Sequence, residues 1–124
     1  MTVPAVRIQT ITIPVADQER SLAFYRDVLG FEVTADAAYG DQRWLVVAPA
    51  GSTVGFTLHL PFAGQANPGW QQGLVLHTDD IAGVVAALRA AGVEVRDPEQ
   101  VGWGVQAQFT DPDGNGFVLV QQGA

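Results

Sequence analysis

Residues 29–33 read Leu-Gly-Phe-Glu-Val and residues 91–95 read Ala-Gly-Val-Glu-Val. Each stretch holds a glycine where a helix would stop, followed by a short run suited to a strand. The flanks match too. Ahead of Gly30, the residues Leu22, Phe24, Tyr25, Val28 and Leu29 fall at helical spacing, with Asp17 placed as the cap and Glu19 in the first turn. Ahead of Gly92, Ile81, Val84, Val85 and Leu88 share one helical face, capped by Asp79 or Asp80. A strand pattern precedes each helix, at 8–15 and 73–78. Three follow each, at 31–36, 43–49 and 52–60 in the first half and 93–95, 104–110 and 117–122 in the second.

Strand, capped helix, glycine stop and three strands thus occur twice, which means two copies of one supersecondary unit. The fold class expected is α+β. Residues 1–124 form a single domain: module 1 at about 6–60, a Pro-, Gly-, Asn- and Gln-rich linker at 61–72, and module 2 at about 73–122. One helix leaves one face of a four-stranded sheet bare. Two paired βαβββ modules are therefore expected to form a curved half-barrel sheet with a cup.

Composition narrows the function classes. With 124 residues, 48% hydrophobic and 15% charged, the chain suits one globular domain. It has no cysteine, which excludes disulfides, thiolate metal sites and thiol nucleophiles and makes the cytoplasm the natural reading. The first ten residues lack the apolar core of a signal peptide, and no apolar run suits a membrane span. A net charge of −7 argues against nucleic acid and mildly favours a cationic small molecule. Asp111-Pro112-Asp113-Gly114-Asn115 reads as a turn, with Pro112 presetting φ and Gly114 accepting a positive one. It lacks the later ligands of an EF-hand loop. Arg20 and Arg26, beside Glu19 and Asp27, read as a solvated helix face. Nucleophile-elbow, P-loop and dinucleotide fingerprints are absent from the sequence.

Residues 15–33, "VADQERSLAFYRDVLGFEV", resemble the first-module signature of the vicinal oxygen chelate superfamily, the glyoxalase, bleomycin-resistance and extradiol-dioxygenase group. Residues 103–120, "WGVQAQFTDPDGNGFVLV", resemble its closing signature, and residues 77–95 extend the likeness over nearly the whole chain. The resemblance implies paired βαβββ modules, usually a homodimer, and in the enzymes a divalent metal held by His, Gln or Glu from four strands. Such a metal serves as a Lewis acid. Carried over position by position, the first ligand site falls on Thr10, its counterpart in module 2 on Gly73, and the closing glutamate on Val118. The remaining site falls at Thr57 or His59. Three of the four positions depart from the metal pattern, and too few donors remain for a divalent ion.

Strand parity names the lining of the cup. Ile11, Ile13, Val15, Val54, Phe56, Leu58, Leu60, Leu74 and Leu76 are expected in the core. Thr10, Thr12, Gly55, Thr57, His59, Val75, His77, Val118 and Val120 then face the cup, with Gln106 and Gln108 beside them. His59 and His77 read first as hydrogen-bonded histidines and second as the remnant of a metal site or an acid/base pair. Trp103, flanked by glycines, and Trp70, in the polar linker, are placed to stack on a planar ligand, whereas Trp44 reads as packing. The expected ligand-binding set is therefore His59, His77, Trp103, Trp70, Thr10, Thr12, Thr57, Gln106, Gln108 and Val118, with no catalytic residue assigned.

The function expected is a homodimer that binds or sequesters a small planar or cationic compound without metal catalysis and without a cofactor. The alternatives are a divalent-metal-dependent lyase, isomerase or dioxygenase, its metal held through His59 and His77, and a domain that binds only a protein partner.

Overall fold

The chain is described by a computed structural model over residues 2–62 and 66–123. Its first half runs β1 (Thr10–Pro14), α1 (Gln18–Leu22), a π-helical stretch (Ala23–Val28), β2 (Glu32–Tyr39), β3 (Gln42–Ala48) and β4 (Gly55–His59). Its second half runs β5 (Leu74–His77), α2 (Ile81–Ala90), β6 (Glu99–Val101), β7 (Gly104–Thr110) and β8 (Gly116–Gln122). Two four-stranded sheets result, ordered β1-β4-β3-β2 and β5-β8-β7-β6. In each, the first strand lies parallel to the last, so the two halves repeat one βαβββ topology.

The caps act as their residue types dictate. Asp17 accepts the Arg20 N–H at 3.1 Å, and Asp80 accepts the Gly83 N–H at 3.0 Å. Gly30 and Gly92 leave their helices at φ of 73° and 86°, the left-handed conformation expected at a C′ position. The first helix widens midway: the Leu29 N–H reaches back to the Phe24 carbonyl at 3.0 Å, and Phe24 and Tyr25 are both buried.

Four local expectations are corrected. Residues 93–95 are not a strand. The Arg89 guanidinium holds the Val95 carbonyl through Nε at 3.0 Å and Nη2 at 2.6 Å, and Pro98 has no N–H to offer a ladder, so pairing resumes only at Glu99. Leu60 and Ile11, both expected in the core, are exposed: β4 ends at His59, and Ile11, on the edge strand β1, lines a small open cavity with Val54 and Leu74. Arg20 is not merely a solvated charge, since it pairs with Asp113 of the other module at 2.6 Å.

One core serves both modules. Phe109 stacks on Phe117 with centroids 5.1 Å apart, and Phe117 meets Phe56 at 5.9 Å and Tyr25 at 6.0 Å. Such pairs contribute about 0.5–1.5 kcal/mol each beyond the area they bury. Phe56 and Phe117 stand on the helix-facing sides of their two sheets, so those sides share the core. The opposite faces point away from it, in different directions. Residues 111–115 bolt the modules together. Asp111 Oδ2 accepts the Tyr25 hydroxyl at 2.7 Å and Asn115 Nδ2 at 2.9 Å, and Asn115 Nδ2 also donates to the Pro14 carbonyl at 3.0 Å. Among the described residues no helix is long and apolar enough to cross a membrane.

Candidate functional site

The bare face of the first sheet carries Thr10 and Thr12 from β1, Thr57 and His59 from β4, and Trp44 and Tyr39 from β3 and β2, as the register requires. The Thr57 hydroxyl donates to that of Thr10 at 3.0 Å. This contact settles the register left open at β4: Thr57, not His59, stands beside Thr10.

His59 sits at the other end of this face and is buried. Its Nδ1 bonds the Leu60 carbonyl and its Nε2 the Tyr39 hydroxyl. A carbonyl only accepts, so Nδ1 carries a proton, and in the neutral ring Nε2 accepts from Tyr39. Phe62 stacks on the imidazole at 4.1 Å, and Trp44 lies edge-on to Tyr39 at 6.1 Å. The result is an imidazole ringed by Tyr39, Trp44 and Phe62, each partly exposed. The sequence singled out His59 but missed Tyr39 and Phe62, and it assigned Trp44 to packing. Tyr39 was legible only through pairing, since it closes the β2–β3 hairpin opposite Gln42.

The bare face of the second sheet carries Val75 and His77 from β5, Val118 and Val120 from β8, and Gln106 and Gln108 from β7. Val75 is exposed, and His77 pairs with Asp79 at 3.1 Å. Trp103 tips the β6–β7 hairpin and is 62% exposed. The next residue, Gly104, holds φ at 144°, and a Cβ there would meet the Gln121 carbonyl oxygen at 2.1 Å. Gly104→Ala should therefore cost about 1–3 kcal/mol in a denaturation curve and loosen Trp103; an unchanged midpoint would contradict this. Trp70 stands on the linker turn, off both sheets, its N–H bonded to the Asn67 carbonyl at 3.1 Å.

The expected residues thus gather in two groups rather than one. Thr10, Thr12, Thr57 and His59 share the first bare face. His77, Gln106, Gln108 and Val118 share the second, with Trp103 at its end. Within one chain these faces point apart, and His59 and His77 do not converge.

The chain's relatives share this architecture. Residues 7–119 match the sequence profile of the Glyoxalase/Bleomycin resistance protein/Dioxygenase superfamily. The chain belongs to this superfamily. A crystal structure of TnmS3, an antibiotic binding protein from Streptomyces sp. CB03234, is 38% identical with a TM-score of 0.91, covering 98% of this chain and 100% of that one. A superfamily member from Sphaerobacter thermophilus DSM 20745 is 36% identical with a TM-score of 0.88, covering 95% and 98%. The uncharacterised protein YetH of Bacillus subtilis (strain 168) is 31% identical over 115 residues, which is 91% of this chain and 96% of its own.

The superfamily's divalent ion can be tested against the residues at hand. Thr10 and Thr57 spend their hydroxyls on each other. Gly73 has no side chain, and Val118 has no donor. Among the described residues no three His, Cys, Asp or Glu side chains gather as a metal would need. The four positions do not fit the ion.

Proposed function

We propose that this protein binds and sequesters a small planar or cationic compound, without metal catalysis, in clefts that close when two copies pair. The observation that carries the reading is the outer face of the first sheet. A buried, doubly hydrogen-bonded imidazole there is ringed by Tyr39, Trp44 and Phe62, and hydroxyls take the place of metal ligands. Aromatic walls with a few fixed polar groups are the usual make-up of a small-molecule pocket. Pairing would set this face of one copy against Trp103, Gln106, Gln108 and Val118 of the other, turning two open faces into one cleft. Likeness to a protein described as antibiotic binding supports a compound of that class. The net charge of −7 suits a cation, and the cysteine-free composition suits the cytoplasm.

Two measurements test this. Sedimentation of the purified chain should show a dimer, and a monomer at all concentrations would overturn the shared cleft. A thermal-shift screen of planar antibiotics should raise the melting temperature with at least one, because a ligand present at about 100 times its Kd adds about 2.7 kcal/mol to the native state. No response across neutral and cationic aromatic compounds would overturn the binding role.

A further inference from the structure

The contact between Tyr39 and His59 decides more than the placement of a ring. The Leu60 carbonyl lies against Nδ1 of His59, and a carbonyl oxygen has no proton to give. A ring protonated on Nε2 instead would set the Nδ1 lone pair against that oxygen. Nδ1 therefore carries the proton, and Nε2 is the acceptor. Both ring nitrogens are thereby accounted for, with no carboxylate among their described partners. The Tyr39 hydroxyl owns one proton, and it goes to Nε2. His59 is 1% exposed, stacked on Phe62 and tilted against Trp44 at 6.2 Å, so packing holds the imidazole in this orientation.

The consequence falls on Tyr39. Conjugation keeps a phenol O–H in the plane of its ring. With that proton turned to His59, the free in-plane lone pair of Tyr39 Oη points the other way. Among the described residues the hydroxyl makes no second hydrogen bond, so no N–H or O–H donates to it. Yet Tyr39 is 40% exposed, and Trp44 edge-on to it is 38% exposed. This end of the first bare face thus offers an outside molecule an aromatic wall and a fixed acceptor. The Tyr39 hydroxyl has no proton left to offer.

We propose that Tyr39, with His59 as its positioning residue, is the specificity-determining acceptor of this face. It selects an aromatic ligand that brings an N–H or O–H donor, an aromatic amine or a phenol, over one of the same shape with an ether or carbonyl oxygen at that place. A donor completes the Tyr39 hydroxyl. An acceptor oxygen sets two lone pairs against each other and strips water from both. The inference rests on the binding role proposed above and adds the polarity of the contact to it.

Two measurements on the full-length protein test it. Two-bond proton–nitrogen NMR correlations of the histidine rings should show His59 protonated on Nδ1 and bare on Nε2; a proton on Nε2 would overturn the positioning by His59. Fluorescence titration with 6-aminoquinoline and 6-methoxyquinoline, planar probes of one ring system, tests the selection. The wild-type chain should bind the amine at least about tenfold more tightly than the ether. In Tyr39→Phe the two affinities should converge, a change of ratio that a merely structural role for Tyr39 would not produce. Equal affinities in the wild type, a preference for the ether, or a ratio that survives Tyr39→Phe would overturn the acceptor and leave the binding role standing. Binding of neither probe would overturn the acceptor too, while the antibiotic screen decides the binding role on its own.

Discussion

Asp111→Ala should be the most destabilising single change in the protein, costing about 3–5 kcal/mol. The carboxylate is buried and accepts four hydrogen bonds: the Tyr25 hydroxyl, Asn115 Nδ2, and the backbone N–H groups of Asp113 and Asn115, at 2.7–2.9 Å. Alanine would strand these donors in the seam between the modules. Tyr25→Phe removes one partner and leaves the carboxylate its other three donors, so its cost should be nearer 1 kcal/mol. Urea unfolding separates the two; equal midpoints for Asp111→Ala and wild type would refute the latch. A pH signature accompanies it. Burial, then the negative charge and hydrogen bond of Asp111, push the Tyr25 phenol far above its usual value of 10.0. The folded value is the raised one, so this contribution is intact below about pH 10 and falls away as pH rises beyond it. The Tyr25→Phe variant should lack that alkaline loss.

The second large effect concerns recognition. Trp44→Ala and Trp103→Ala should each weaken binding of a planar ligand by about ten- to a hundredfold, in the manner of aromatic anchors at an interface. Trp103 is 62% exposed, so its urea midpoint should scarcely move, whereas Trp44, edge-on to Tyr39 and beside His59, should lose about 1 kcal/mol of stability as well. Mixing the two variants gives a sharper readout. A heterodimer of Trp44→Ala with Trp103→Ala puts both lesions in one cleft and leaves the other intact, so half the heterodimer's sites, about a quarter of all sites in an equal and fully exchanged mixture, should keep full affinity. If each chain bound alone, every site would be impaired in the mixture.

Much of this was legible in the sequence because it depends on local periodicity. The repeat, both caps, both glycine stops and the parity of β1, β4, β5, β7 and β8 follow from alternation and spacing. What was not legible depends on contacts between distant segments. Asp-Pro-Asp-Gly-Asn explains itself as a turn, so nothing local marks Asp111 as the acceptor of Tyr25 or Asp113 as the partner of Arg20. Val-Glu-Val at 93–95 has strand composition, but Arg89 and Pro98 withdraw it from the sheet. His59 was visible as a candidate, whereas its Tyr39 partner required the β2–β3 register and its Phe62 cover lies beyond β4. That the two bare faces point apart, and so call for a second copy, is set by the aromatic core and by no single motif.

The claim that matters most is that the bare faces recognise a compound with their own side chains, not through a bound ion. Titration of the EDTA-treated dimer with a compound found by thermal shift, followed by tryptophan fluorescence, tests it directly. The account predicts saturable quenching with the same Kd before and after chelation, and unchanged by added Mn²⁺, Ni²⁺ or Zn²⁺. Binding that vanishes with EDTA and returns with one equivalent of a divalent ion would contradict it.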